Sequence, residues 1–404
     1  MPDKIKIWFS NRYLKIINSI AFYPALIALS FLALSIFMVR FDFSDLGKNF
    51  KAQLTWFSLK DATTARSIIS SIVSGLISLT VFSFSMVMII LNQTASQMSN
   101  RILDRLIGNR FQQIVLGVYI GTIVFALFLL STIRDINSGI SIPAISTYFL
   151  IILTIIDIFL FIYFLHYITQ SVKYQVIIQR IYADTKKVML EVCTVPEMPI
   201  DSFLNFNGTE VKAMHAGIFE GFNKKALSHI CGKYNCQVRI LLRRGSFIFK
   251  DTIVAILSKN VDEEQTADIA GTFYINNDES LEKNFTYGFR QLTEVAVKAL
   301  SPGINDPGTA IASLHALSKL FAFRLDQFPN NHFQNIQGQT CIISREWSID
   351  ELFSVCILPI WDYGKNDRMV RNEFLHICTL FTSIERSPLI AGFYEEVKKM
   401  VNGK

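Results

Sequence analysis

Four apolar runs, 20–39, 67–91, 114–133 and 147–168, dominate the chain before residue 170. Each is long enough, at about 1.5 Å per residue, to cross a hydrocarbon layer of about 30 Å. Inside lipid every backbone polar group has to be satisfied within its own segment, so runs of this kind are helices. They raise the hydrophobic fraction of the 404 residues to 51% and hold the charged fraction to 18%, an unusual balance for a soluble protein. The opening MPDKIKIWFSNRYLK is basic, as in a signal peptide, but the run after it exceeds a typical h-region and no A-x-A-like site follows. It reads as a retained membrane helix.

Orientation follows from the Lys and Arg residues near the helix ends. On one side stand Lys4, Lys6, Arg12, Lys15, Arg101, Arg105, Arg110, Lys173, Arg180, Lys186 and Lys187; on the other, Arg40, Lys48, Lys51, Lys60, Arg66 and Arg134. The bias places both termini in the cytoplasm. Trp8, Phe22 and Tyr23, Trp56 and Phe57, and Tyr163 and Tyr167 fall where interfacial aromatics belong. All six cysteines (Cys193, Cys231, Cys236, Cys341, Cys356, Cys378) follow the last run, with no C-x-x-C pair or zinc-type spacing. In the cytoplasm they are reduced core residues. A net charge of +6 is ordinary under the positive-inside bias and gives no argument for nucleic acid.

One acid breaks the pattern. In FLIILTIIDIFLFIYF, residues 149–164, Asp157 stands alone among Leu, Ile and Phe. An Asp at a helix centre costs about 3 kcal/mol on insertion scales, and apolar neighbours at about 0.3–0.6 kcal/mol each outweigh it. No Lys or Arg lies at that depth. The acid is therefore protonated, bonded to hydroxyls, hydrated or loaded with a cation. As structure it is packing glue between helices; as function it is an ion or proton site. The second run suggests partners: Ser71, Ser78, Ser85, Asn92 and Ser99 recur every seven residues, a slowly drifting helix face that Ser67 and Ser74 widen. Such a stripe either lets helices approach closely or lines a wet path. Gly117 and Gly121, in G-x-x-x-G spacing, mark a close helix contact.

The rest is a soluble portion large enough for its own core. Residues 171–192 keep a helical period and extend the fourth helix. A Pro-containing stretch near 195–210 breaks the period. Residues 223–235 read as a short helix and 236–257 as a hairpin around Gly245. Helices follow over roughly 283–300 and 307–325, with two or three more in 349–402. The expected architecture is four transmembrane α-helices followed by a cytoplasmic α+β domain: a membrane domain over 1–170, a helical extension and linker over 171–210, and the α+β domain over 211–404.

ALSPGINDPGTA, residues 299–310, is the suggestive stretch of the soluble part. Asp306 before Pro307 makes an N-cap with Pro at the first helical position, which reads as an interhelical turn. Its functional version is a ligand site formed by Ser301, Gly303, Asn305, Asp306 and Thr309 around the free N–H groups of the new helix.

ALSPGINDP, the preceding NFTYGFRQLTEVAVK and the stretch FSFSMVMIILNQTASQMSNRILDRLIGNRFQQIVLGVYIGT together resemble the bacterial predicted membrane proteins grouped as domain of unknown function 2254. The resemblance spans most of the chain and implies a hydrophobic amino-terminal half, a soluble carboxy-terminal half and a bacterial inner-membrane location. It implies no established activity.

Three classes of function follow from the residues. The favoured one is an oligomeric ion-conducting or transport protein, with Asp157, Ser71, Ser74, Ser78, Ser85 and Asn92 as the pathway and the soluble part as gate or ligand sensor. A membrane-anchored sensor or scaffold would bind a partner or metabolite. An enzyme would use Glu294, Asn305, Asp306 and His315, but no G-x-S-x-G, H-E-x-x-H, Walker A or G-x-G-x-x-G motif supports one. No catalytic set, cofactor or metal is expected. The expected partners are membrane lipid, further copies of the chain and a small-molecule or ion ligand.

Overall fold

The computed structural model describes residues 21–47, 49, 61–97, 110–133, 142–171, 173–195, 206–334, 338–384 and 387–403. The chain divides into two compact units, residues 1–173 and 174–404.

The first unit contains α1 (Phe22–Phe43), α2 (Ala62–Gln97), α3 (Arg110–Thr132) and α4 (Ala144–Ser171). All four are long and apolar enough to span a bilayer, α2 over Ala62–Ile90. Helix α3 is central and touches the other three. Its two glycines explain how it closes on α1: a Cβ on Gly117 would lie 2.7 Å from Ile27 Cδ1, and one on Gly121 2.7 Å from the Phe31 ring. The G-x-x-x-G spacing is thus a helix contact, as small residues allow in membranes.

The helix ends are tied by short polar side chains. Asp61 opens α2 by accepting from the amides of Thr63 (3.2 Å) and Thr64 (2.9 Å). Helix α4 is capped from elsewhere in the chain. Asp42, fully buried at the end of α1, accepts from the amides of Ile145 (3.3 Å) and Ser146 (2.7 Å) and from the Ser146 hydroxyl (2.5 Å). A carboxylate at a helix N-terminus meets both free N–H groups and the positive end of the dipole.

The second unit opens with α5 (Tyr174–Val192) and β1 (Cys193–Val195), then β2 (Glu210–Lys212), β3 (Gly217–Phe222), α6 (Lys224–Tyr234), β4 (Val238–Ile240), β5 (Ser246–Ile248), β6 (Ile253–Leu257), α7 (Glu263–Ala270) and β7 (Phe273–Asn276). Two longer helices, α8 (Thr286–Ala299) and α9 (Pro307–Asp326), precede β8 (Phe328–Pro329), β9 (His332–Gln334) and β10 (Thr340–Ile343). The helices α10 (Ile349–Cys356), α11 (Leu358–Gly364), α12 (Arg368–Ile384) and α13 (Pro388–Val401) complete the α+β unit.

Two expectations are corrected here. Residues 171–192 do not prolong the fourth helix. Helix α4 ends at Ser171, the Lys173 amide turns back to the Gln170 carbonyl at 3.2 Å, and α5 starts at Tyr174 with its own apolar stripe of Ile177, Ile178, Ile181 and Met189. That stripe packs on α8 and α9, and Gly288 of α8 lies so close that a Cβ there would collide with Thr185. Nor do the strands around Gly245 form a hairpin. Strand β4 pairs with β6 in a five-stranded sheet, β2-β6-β4-β10-β9, in which only β4 and β10 run parallel; β5 crosses to β3 in a three-stranded antiparallel sheet, β5-β3-β7. Gly245 permits the crossing. Its φ is +85°, and the space a side chain would need holds Arg290, Glu279 and Asn284.

The neighbouring arginines are drawn inward as well. Arg243 pairs with Glu351 at 2.7 Å and lies over the Trp347 ring, while Arg244 donates to the Lys283 carbonyl at 2.8 Å. The two larger sheets share one apolar core that includes Val211, Phe219, Val238, Ile248, Leu257 and Phe273. All six cysteines are buried free thiols. Cys231 and Cys236 close the end of α6: Asn235 takes the left-handed conformation (φ 46°), and the Cys236 amide donates to the Cys231 carbonyl at 3.1 Å. This is the 6→1 bond of a Schellman ending, whose flanking apolar contact is here made by two thiols. The Cys231 thiol donates to the Cys236 sulfur, and that bond, together with burial, raises the Cys231 pKa, while the accepted bond lowers that of Cys236.

Glu220 on β3 is the buried acid of the sheets, 2% exposed. Burial alone raises its pKa. Hydrogen bonds from Asn276, the Ser280 amide (2.6 Å) and Lys283 (3.2 Å) outweigh that and hold it below the ordinary glutamate value. A carboxyl with a depressed folded pKa contributes stability that is fully present above its unfolded pKa and is lost as pH falls through the folded value. Acid titration of unfolding is therefore expected to show a steeper loss in the wild type than in Glu220→Gln below the ordinary glutamate range. Parallel curves would contradict this assignment.

Candidate functional site in the membrane helices

Helix α4 presents Leu150, Asp157, Phe164 and Ser171 to the interior, a buried row at a spacing of seven. Helix α2 presents Ile69, Leu76 and Ser83 in the same way. The Ser/Asn stripe follows this second row by two residues, and at about 100° per residue two residues turn the side chain about 200°. Ser71, Ser74, Ser78, Ser85 and Asn92 are accordingly exposed on the outside of the unit, and the Ser78 hydroxyl donates to the Ser74 carbonyl at 2.9 Å. Ser99 lies outside the described residues. The structure thus does not bring Asp157 and the stripe together, because the stripe is exposed on the outside of α2 while Asp157 of α4 is fully buried.

Asp157 instead meets α3. From Tyr119 to the end of α3 at Thr132, and from the start of α4 at Ala144 to Asp157, the chain climbs the same thirteen residues, so the two side chains share a depth about 20 Å along their helices. Thr122 borders the carboxyl, and its hydroxyl also lies 3.1 Å from the Val118 carbonyl. Asp157 and Tyr119 are both fully buried. Neither carboxyl oxygen of Asp157 has a hydrogen-bond partner among the described residues, and the Tyr119 hydroxyl has none.

The contrast with Asp42 is instructive. Asp42 is equally buried and accepts from the amides of Ile145 and Ser146 and from the Ser146 hydroxyl; beside Asp157, among the described residues, stands only the Thr122 hydroxyl, outside hydrogen-bond geometry. An ionised carboxylate without strong donors is costly in a low-dielectric interior. Tyr119 was missed by sequence reading. The signal that could have found it is its equal distance from the α3–α4 connection.

The SPGINDP residues form a self-capped turn. Asp306 accepts from the Thr309 amide (3.1 Å) and the Thr309 hydroxyl (2.6 Å), and the Ser301 hydroxyl donates to the Lys298 carbonyl (2.6 Å). The amides of Ile304 and Asn305 donate to the Ser301 carbonyl, with Asn305 left-handed at φ 49°. Gly303 is exposed, with nothing near its Cβ position. The five residues are brought together, and both oxygens of Asp306 serve α9. Asp306 also lies near Tyr174, whose pKa is raised by burial and by that charge. Of the residues considered for catalysis, His315 sits 2.8 Å from Glu373 on the surface.

If Asp157 were packing glue, its loss would weaken the bundle. The geometry predicts the reverse: Asp157→Leu removes an unpartnered buried carboxyl and is expected to stabilise the unit by about 1–3 kcal/mol in detergent unfolding titrations. Destabilisation of similar size would identify a structural bond.

A family model described as a predicted membrane protein, DUF2254, matches residues 17–379. Two relatives are the uncharacterized proteins Rv1290c of Mycobacterium tuberculosis (strain ATCC 25618 / H37Rv) and Mb1321c of Mycobacterium bovis, each 23% identical over 256 residues, or 58% of this chain and 47% of the relative. The chain thus spans about half the length of the curated relatives it matches. No solved structure matches it. With its four apolar helices and α+β unit, the chain belongs to the predicted membrane protein family DUF2254.

Proposed function

We propose that this membrane protein carries protons or small cations across the bilayer, with Asp157 as the acid that takes up and releases the charge. The observation that carries the reading is a fully buried carboxyl, at mid-depth in a membrane helix, with no donor of its own and a tyrosine hydroxyl at the same depth. Such acids are costly and mark ion or proton routes in membrane proteins.

In this reading the route runs along α3 and α4 inside one chain. The outward Ser/Asn stripe of α2 serves contacts between copies in an oligomer. The charge bias supports a bacterial inner-membrane protein with both termini in the cytoplasm, where the α+β unit acts as gate or ligand sensor and catalyses no reaction. A second reading, a membrane-anchored sensor or scaffold, draws on the glycine seam of α3, which suits a purely architectural bundle.

Purified protein in vesicles with an imposed pH or cation gradient separates the two. Wild type is expected to dissipate a gradient faster than protein-free vesicles, and Asp157→Asn is expected to remove the difference. Vesicles whose leak is unaffected by either protein would favour the scaffold.

A further inference from the structure

Chain length ties the start of α5 to the bilayer. Helix α4, 28 residues and about 42 Å long, matches the thickness of a membrane with its head groups. Two residues separate its end at Ser171 from Tyr174, a reach of about 11 Å at most, so whatever stands beside Tyr174 is held near the head groups too.

Several elements of the second unit come together there. Asp306 of the SPGINDP turn lies near Tyr174. From that point α5 and α9 run in the same direction, with Lys319 Nζ 5.8 Å from the Tyr182 ring and Lys186 Nζ 5.9 Å from the Phe323 ring. Helix α12 starts level with α9, since His315 in the third turn of α9 meets Glu373 in the second turn of α12 at 2.8 Å. The turn before α12 touches the end of α8: a Cβ on Gly364 would lie 2.5 Å from Val370 Cγ1 and 3.1 Å from Leu300 Cδ1.

The turns 300–306 and 364–367 thus share one end of the unit. Pro302 and Gly303 are exposed, and Tyr363 and Met369 are 56% and 61% exposed. Lys173 and Arg368 are exposed cations, and Lys365 is half-buried. The acids between them are largely engaged. Asp306 accepts from the Thr309 amide and Asp367 from the amides of Met369 and Val370, while Asp362 lies 4.0 Å from Lys365.

We propose that this end of the second unit rests on an anionic phospholipid surface, with Tyr363 and Met369 at head-group depth and Lys173, Lys365 and Arg368 facing lipid phosphates. An amphipathic ring beside lysine and arginine is the side-chain set that a membrane interface favours. The short tether keeps lipid at high effective concentration, so a modest contact per residue is enough. The contact does not depend on whether Asp157 carries ions.

The test uses full-length protein with an environment-sensitive fluorophore on Gly303→Cys, Met369→Cys or, as control, Leu190→Cys. Leu190 is 57% exposed and lies about 24 Å further along α5 than Tyr174. The native thiols are buried, so brief labelling spares them. The proteins are placed in nanodiscs of phosphatidylcholine with or without phosphatidylglycerol, and quenching by lipid spin-labelled at the head group is measured. In the anionic discs, quenching at Gly303→Cys and Met369→Cys is expected to exceed that at Leu190→Cys about threefold or more. High salt, or Lys365→Glu combined with Arg368→Glu, is expected to reduce it to the level in neutral discs. Quenching at the two positions no greater than at Leu190→Cys, as when a soluble protein takes this end instead of lipid, would overturn the proposal. So would quenching indifferent to lipid charge, salt and the paired reversal.

Discussion

The close approach of α3 to α1 through Gly117 and Gly121 is the contact on which the membrane unit depends. Lipid tails are as apolar as leucine, so helices gain little from hiding hydrocarbon from one another, and shape decides which faces meet. Two missing side chains let α3 sink against Ile27 and Phe31, leaving its other faces to α2 and α4. Three polar residues of the interior, Gln113, Tyr119 and Thr122, belong to this one helix and are buried because it is central.

That placement separates two kinds of buried acid. Asp42 is held by amides at the start of α4, where a helix end supplies free donors. Asp157 stands in mid-helix, where the backbone donors are already used by the helix itself. Only side chains remain to satisfy it, and those nearby stand outside hydrogen-bond geometry or have no partner themselves. The same helical regularity that lets the segment cross a membrane leaves its acid without backbone donors.

Much of the architecture was legible because hydrocarbon thickness fixes span length and because caps carry local signatures. Asp306 with Pro307 marks a helix start that the structure contains. The inner and outer faces of α2 were not legible. In water an apolar stripe points inward, but in a bilayer both faces are apolar, and the Ser83 row and the Ser71–Ser78–Ser85 row look alike until neighbours are placed. Strand pairing failed for a different reason: β4 meets β10 across roughly a hundred residues of chain, and no local spacing encodes such a partner. The crossing at Gly245 depends on Arg290, Glu279 and Asn284, all well downstream. Asp42 escaped notice because its partners, at Ile145 and Ser146, are as remote.

The paired sulfurs at the end of α6 have a practical side. Cys231 and Cys236 lie within a sheet core that also holds Cys341, and the bond that Cys231 donates to Cys236, together with burial, keeps the Cys231 sulfur protonated. Reagents that attack thiolates reach such groups only while the surrounding core is open. These sulfurs therefore keep time for the soluble unit: the pace at which they are labelled is set by how often its interior breathes.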